Sequence, residues 1–182
     1  MPHKATFVLF ILLVACGTSG SPPSTTTTTT TTSVEQAESL VCEQLQIVRD
    51  LANEVSLMTP IANTAPTEGG DIDAAGIAAM HAIASFLDEQ TPTILAAYEA
   101  AAVAAENFAA LAADIREVKE ATAVMNPIYV ETMSTITSFS DFDAMGSLLS
   151  DPVVAQQVLL AMQATLRIDE FTIPTCGFKL SS

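Results

Sequence analysis

The chain has 182 residues, six Lys+Arg against 21 Asp+Glu, a formal net charge of −15, and no Trp. That length holds one ordinary domain plus a targeting segment. A surface this acidic repels phosphate backbones and anionic headgroups, so nucleic acid is excluded as a partner and so is polybasic contact with a membrane. Ala, Leu, Ile, Val and Met carry the apolar share and aromatics are few, which predicts an all-α fold in preference to a β-sandwich.

Met1-Pro2-His3-Lys4 is a short, weakly positive start, and Ala5 to Val14 is almost wholly apolar. About ten such residues are too few for a permanent bilayer span, which needs about twenty. They have the length of a signal-peptide core. The segment ends Leu13-Val14-Ala15-Cys16-Gly17, and Leu13-Val14-Ala15-Cys16 resembles the lipobox of bacterial lipoproteins. The resemblance implies that residues 1–15 are removed and that Cys16 is lipidated on sulfur. Several acyl chains on one residue anchor far better than one. An ordinary secretory signal with an incidental Cys is the competing reading.

Residues 16–33 hold Pro22-Pro23 and an unbroken Thr run from Thr25 to Thr32. No packed core can be made from them, so they read as a disordered tether. Fully extended, it reaches at most about 50 Å. The expected localisation is therefore extracytoplasmic, with the membrane as a partner through the anchor at Cys16.

Residues 34–182 read as the helical domain. Ser33 is a good N-cap, and Val34, Ala37, Val41, Leu45, Val48, Ala52, Val55 and Met58 fall at helical spacing until Thr59-Pro60. A loop over 63–70 follows, then a second helix from Asp71 to about Gln90 with Ile72, Gly76, Met80, Ile83 and Leu87 as its stripe. Thr91-Pro92 opens a third helix, with Pro at the tolerated first position, running through an Ala-rich stretch to about Met125. Asn126-Pro127 breaks that pattern. The stretch Ile128 to Thr137 is rich in β-branched residues, so over 127–138 a strand competes with a helix, and the helix is favoured for want of a partner strand. Ser140 with Asp143 starts a short helix to Leu149. Asp151-Pro152 caps a last helix to about Asp169, and Phe171 to Leu180 reads as an extended tail. The simplest packing is an antiparallel bundle on four main helices, with that tail pinned by a disulfide.

The cysteines are Cys16, Cys42 and Cys176. With Cys16 lipidated, an even pair remains in an exported domain, where Cys42–Cys176 is expected as a disulfide; two buried thiols are the alternative. The bond would close roughly 130 residues, worth about 4–5 kcal/mol in chain-entropy models. The ending Thr175-Cys176-Gly177-Phe178 after an amphipathic helix, with Cys42 in the first helix, is similar to uncharacterised exported helical proteins of actinobacteria. That resemblance implies no activity.

The reactive inventory is thin. His81 is the one histidine after the leader, with Ser85 one turn on. A general base is conceivable, but a flanking or core histidine is the ordinary outcome. Asp71-Ile72-Asp73 to Gly76 and Asp141-Phe142-Asp143 to Gly146 share the opening of a calcium loop, but Ala82 and Pro152 stand where its bidentate Glu belongs. Both read as helix starts, with weak surface calcium binding near Glu68, Asp71 and Asp73 as the residual alternative. Asp114, Glu117 and Glu120 with Arg116 and Lys119 read as a solvated face with local ion pairs. Met58, Met80, Met125, Met133, Met145 and Met162 read as core filling, or else as the lining of a greasy pocket. No cofactor, metal site or catalytic residue is expected. The function read from the sequence is a membrane-anchored, non-catalytic binding domain for a protein or envelope component. The alternative is a carrier of a lipid or other apolar ligand between the helices.

Overall fold

The computed structural model describes residues 33–62, 74–138, 141 and 151–181. Within them the fold is all-α, with four helices and no strand: α1 (Val34–Ala62), α2 (Ala74–Ala104), α3 (Ala109–Thr135) and α4 (Pro152–Cys176). Each helix packs on the next, and α4 returns to α1. The expected features at Glu68, Asp71, Asp73, Ser140, Asp143, Met145 and Cys16 lie outside the described residues.

Ser33 caps α1 as expected, through a reciprocal box. The Gln36 N–H donates to Ser33 Oγ, and the Ser33 N–H donates to Gln36 Oε1, both at 3.2 Å. Ala37, Val41, Leu45, Val48 and Val55 of the expected stripe are buried, whereas Val34 is exposed. The helix passes Thr59-Pro60 and ends at Ala62, a shift within the fraying of any helix end.

The larger differences lie at three prolines. Thr91-Pro92 does not open a helix; α2 runs through it. Asn126-Pro127 does not break α3, and residues 127–135 are helical with no strand. Pro174 lies inside α4, so the helix extends past Asp169 to Cys176 and the non-helical tail begins at Gly177 instead of Phe171. A helical proline deprives the carbonyl four residues back of its partner. Here Pro92, Pro127 and Pro174 are exposed, and so are Asp88, Ala123 and Glu170, whose carbonyls lose the bond. On that exposed side solvent can take the place of the lost bond. Next to the first proline, Thr91 Oγ1 donates to the Leu87 carbonyl at 2.5 Å. Burial of Ile83 and Leu87 before Pro92, and of Tyr98 and Ala101 after it, outweighs the proline cost of about 3 kcal/mol, at about 1.5–3 kcal/mol for each large side chain.

The chain reverses instead inside the Ala-rich stretch. The Glu106 N–H bonds the Val103 carbonyl and the Phe108 N–H bonds the Ala105 carbonyl, tightening the end of α2 before α3 starts at Ala109. Ala101, Ala102 and Ala105 on one side of the turn and Leu111 and Ala112 on the other are buried together. Small side chains permit that close reversal, and its burial selects it.

Asp151 caps α4 as expected, accepting from the N–H groups of Val153 (2.7 Å) and Val154 (3.3 Å) with Pro152 at the first position. Gly177 ends α4 in the left-handed region at φ 75°, where a Cβ would be strained. Cys42 and Cys176 are joined by a disulfide, with Cα atoms 5.4 Å apart. The tail then folds inward: Phe178 and Leu180 are buried in the core with Val41, Leu45 and Val48.

Candidate functional site

The apolar core comes in two layers. One, at the disulfide end, draws on all four helices and the tail. The other joins Val55 of α1, Ala79, Met80, Ile83 and Leu87 of α2, and Met133 of α3 with Ile136 beyond it, and has no residue of α4. Between them lies a void of about 80 Å³. Val48, Leu51, Ala52 and Val55 of α1 line it, with Leu87, Ile94 and Tyr98 of α2, Ala121, Thr122, Met125, Asn126 and Tyr129 of α3, and Val158, Ala161 and Met162 of α4. It sits where α2 and α3 carry their prolines, and Asn126 Nδ2 bridges the two helices by donating to Thr91 Oγ1 at 3.1 Å. Burial pushes the Tyr98 phenol far above its ordinary range and raises Tyr129 for the same reason, so both stay protonated. Of the expected pocket methionines, Met125 and Met162 reach the void, Met80 and Met133 are core, and Met58 packs beside the second layer.

The seam between α1 and α4 is closed at the disulfide end by the tail. Asp169, 4% exposed, accepts from the N–H groups of Leu180 (2.6 Å) and Ser181 (3.2 Å). Arg49, 7% exposed, places its guanidinium 4.7 Å from the Phe178 ring centre. Arg49 Nε and Asn53 Oδ1, one turn apart on α1, are buried without hydrogen-bond partners.

His81 is exposed on α2, and its Nε2 lies 2.9 Å from the Ile136 carbonyl, at the end of α3. Asp141 accepts from the Thr137 N–H (2.8 Å), the Thr137 hydroxyl (3.0 Å) and the Ser138 N–H (2.8 Å), which holds its carboxyl below the usual range. The acidic face of α3 bonds across helices and not locally: Arg167 of α4 contacts Asp114 (2.7 Å) and Glu117 (3.1 Å), and Lys119 contacts Glu99 of α2 (2.5 Å). Among the described residues no three His, Cys, Asp or Glu side chains group as a metal ion requires. No described helix is long and apolar enough to cross a membrane.

On the outer side, Leu159, Leu166 and Ile173 of α4 are 54%, 57% and 48% exposed. Their seven-residue spacing aligns them along one face of the helix. Sequence reasoning passed over this stripe, although its heptad is legible, because the buried stripe of Val154, Ala161, Ala164 and Ile168 shares the same helix. No known protein family, curated protein or solved structure matches the chain.

Proposed function

We propose that this chain is an extracytoplasmic lipoprotein, anchored through Cys16, whose helical domain is a non-catalytic module that binds a protein or envelope component. The lipobox-like Leu13-Val14-Ala15-Cys16 supports the anchor, and the Pro- and Thr-rich residues 17–33 supply the spacer. The observation that carries the binding role is the stripe of Leu159, Leu166 and Ile173. Single exposed aliphatics are normal on a surface, but three in register on one rigid helix form a contact face. His81, Glu99, Asp114 and Glu117 are engaged in helix-end and cross-helix contacts, which supports a role without chemistry.

The test is fractionation of a bacterial host that expresses the full chain or its Cys16→Ser variant. The wild type is expected in the envelope fraction and released by detergent, and the variant is expected to leave that fraction. Equal retention of both would reject the anchor.

The void between the core layers favours a second reading, carriage of an apolar ligand. At about 80 Å³ it is well below the roughly 300 Å³ of an ordinary small-molecule pocket. On this reading the cargo enters only in part.

A further inference from the structure

We propose that the void between the two core layers takes the end of one unbranched alkyl chain whose polar head carries no charge, such as a long-chain alcohol or a monoacylglycerol. This deepens the carrier reading and rests on it. Size comes first. The void, about 80 Å³, is roughly half the 150 Å³ apolar cavity that holds benzene. A ring does not fit, whereas the last few methylenes of a chain do. Val48, Val55, Leu87, Ala121, Met125 and Ala161 make the void's deep wall apolar, with the Tyr98 phenol the one polar group among the buried lining residues, so the wall favours hydrocarbon over solvent.

The absence of charge comes from the lining and from the molecule. Thr122, Asn126 and Tyr129 follow one another at spacings of four and three along α3, and all three are half-buried where the void meets its rim. Their groups are a hydroxyl that donates to the Val118 carbonyl, an amide whose Nδ2 donates to Thr91, and a phenol, so the hydroxyl and amide oxygens remain to accept from an uncharged head. No Lys, Arg, Asp or Glu lines the void among the described residues. A carboxylate or phosphate head would find no cation there and would face a protein of net charge −15. An uncharged head can hydrogen-bond to this rim without that penalty. Met125 and Met162, flexible and polarisable, adapt the wall to a chain.

The sequence supplies its own reporter. The chain has two tyrosines and no Trp, and both tyrosines line the void. Tyrosine near-ultraviolet circular dichroism therefore reads the site directly. The experiment titrates the full exported protein with 1-decanol, sodium decanoate and naphthalene. Parallel titrations use Ala161→Leu, which fills the void from a buried position on α4, and Val103→Gln at an exposed position on α2 as a folded control. The expected result is a saturable tyrosine change with decanol, retained in Val103→Gln and weakened at least tenfold in Ala161→Leu. Decanoate is expected to bind at least tenfold more weakly than decanol, and naphthalene not to saturate. Decanoate binding as tightly as decanol, or decanol binding undiminished in Ala161→Leu with native far-ultraviolet signal, would overturn the proposal. Should Ala161→Leu fail to fold, Val158→Phe at the rim replaces it under the same criteria. Naphthalene binding abolished by the filling variant would refute the alkyl assignment and leave the carrier reading standing. No saturable change with any probe would remove both.

Discussion

Removing the disulfide is the sharpest perturbation that the fold offers. Cys42 and Cys176 are separated by 134 positions, so the bond constrains nearly the whole helical domain in the unfolded state. The chain-entropy relation for a loop of that length gives about 17 cal/mol/K, or about 5 kcal/mol at 25 °C, as an upper bound. For a domain of this size each kcal/mol moves the melting temperature by about 2–4 °C, so the double variant Cys42→Ala/Cys176→Ala is expected to melt about 10–20 °C below the wild type. The loss has a local component too. The bond holds the end of α4, and the tail beyond it inserts Phe178 and Leu180 into the disulfide-end core. Scanning calorimetry of both proteins, with and without reductant, is the assay. Reductant should bring the wild type to the variant's melting point and leave the variant unchanged. A shift below about 3 °C, with both cysteines blocked to thiol reagents in the wild type, would refute the argument that this loop closure contributes materially to stability.

The tail clamp gives a second expectation. Asp169→Ala strands the buried N–H of Leu180 and should cost about 1–3 kcal/mol in urea unfolding, while Asp169→Asn, which keeps an acceptor, should cost less. Leu45 is fully buried and Leu166 is 57% exposed. In the same assay Leu45→Ala should lose about 2–5 kcal/mol and Leu166→Ala under about 0.5 kcal/mol; a large loss at Leu166 would mean that the outer stripe is part of the core. The pH dependence has a definite sign. Asp141 is held below its ordinary value of 3.8 chiefly by the Thr137 N–H and hydroxyl and the Ser138 N–H. A depressed folded value contributes stability above pH 3.8, lost as pH falls through the folded value. Thermal melts of wild type and Asp141→Asn should therefore differ at pH 6 and converge near pH 2, and a gap that widens in acid would reverse the assignment.

Much of the fold was legible because burial follows periodicity. The stripe from Ala37 to Val55 is read directly from spacings of three and four, and Asp151-Pro152 is a cap whose chemistry is local. The Ser33/Gln36 box is equally visible in the spacing Ser-x-x-Gln, although the Ser33 cap alone was read from it. Helix boundaries failed where proline was taken as decisive. Whether Pro92 or Pro127 ends a helix depends on which way the carbonyl four residues earlier faces, and that is a tertiary property. The reversal at Glu106 to Phe108 failed for the opposite reason. Ala favours helix everywhere, so nothing local marks the point where burial turns the chain. The void was not locatable from the sequence, since it arises where four separate segments fail to fill their shared centre. Its methionines were read in advance, but only Met125 and Met162 reach it.

The proposed function rests first on where the mature chain begins and what it carries there. Intact-mass analysis of the protein extracted from the envelope of a bacterial host tests this most directly. The account predicts a chain starting at Cys16, heavier by the mass of its acyl groups and lighter by two hydrogens for the Cys42–Cys176 bond. An unmodified Cys16, whether in a chain that retains residues 1–15 or in one cleaved elsewhere, would contradict it.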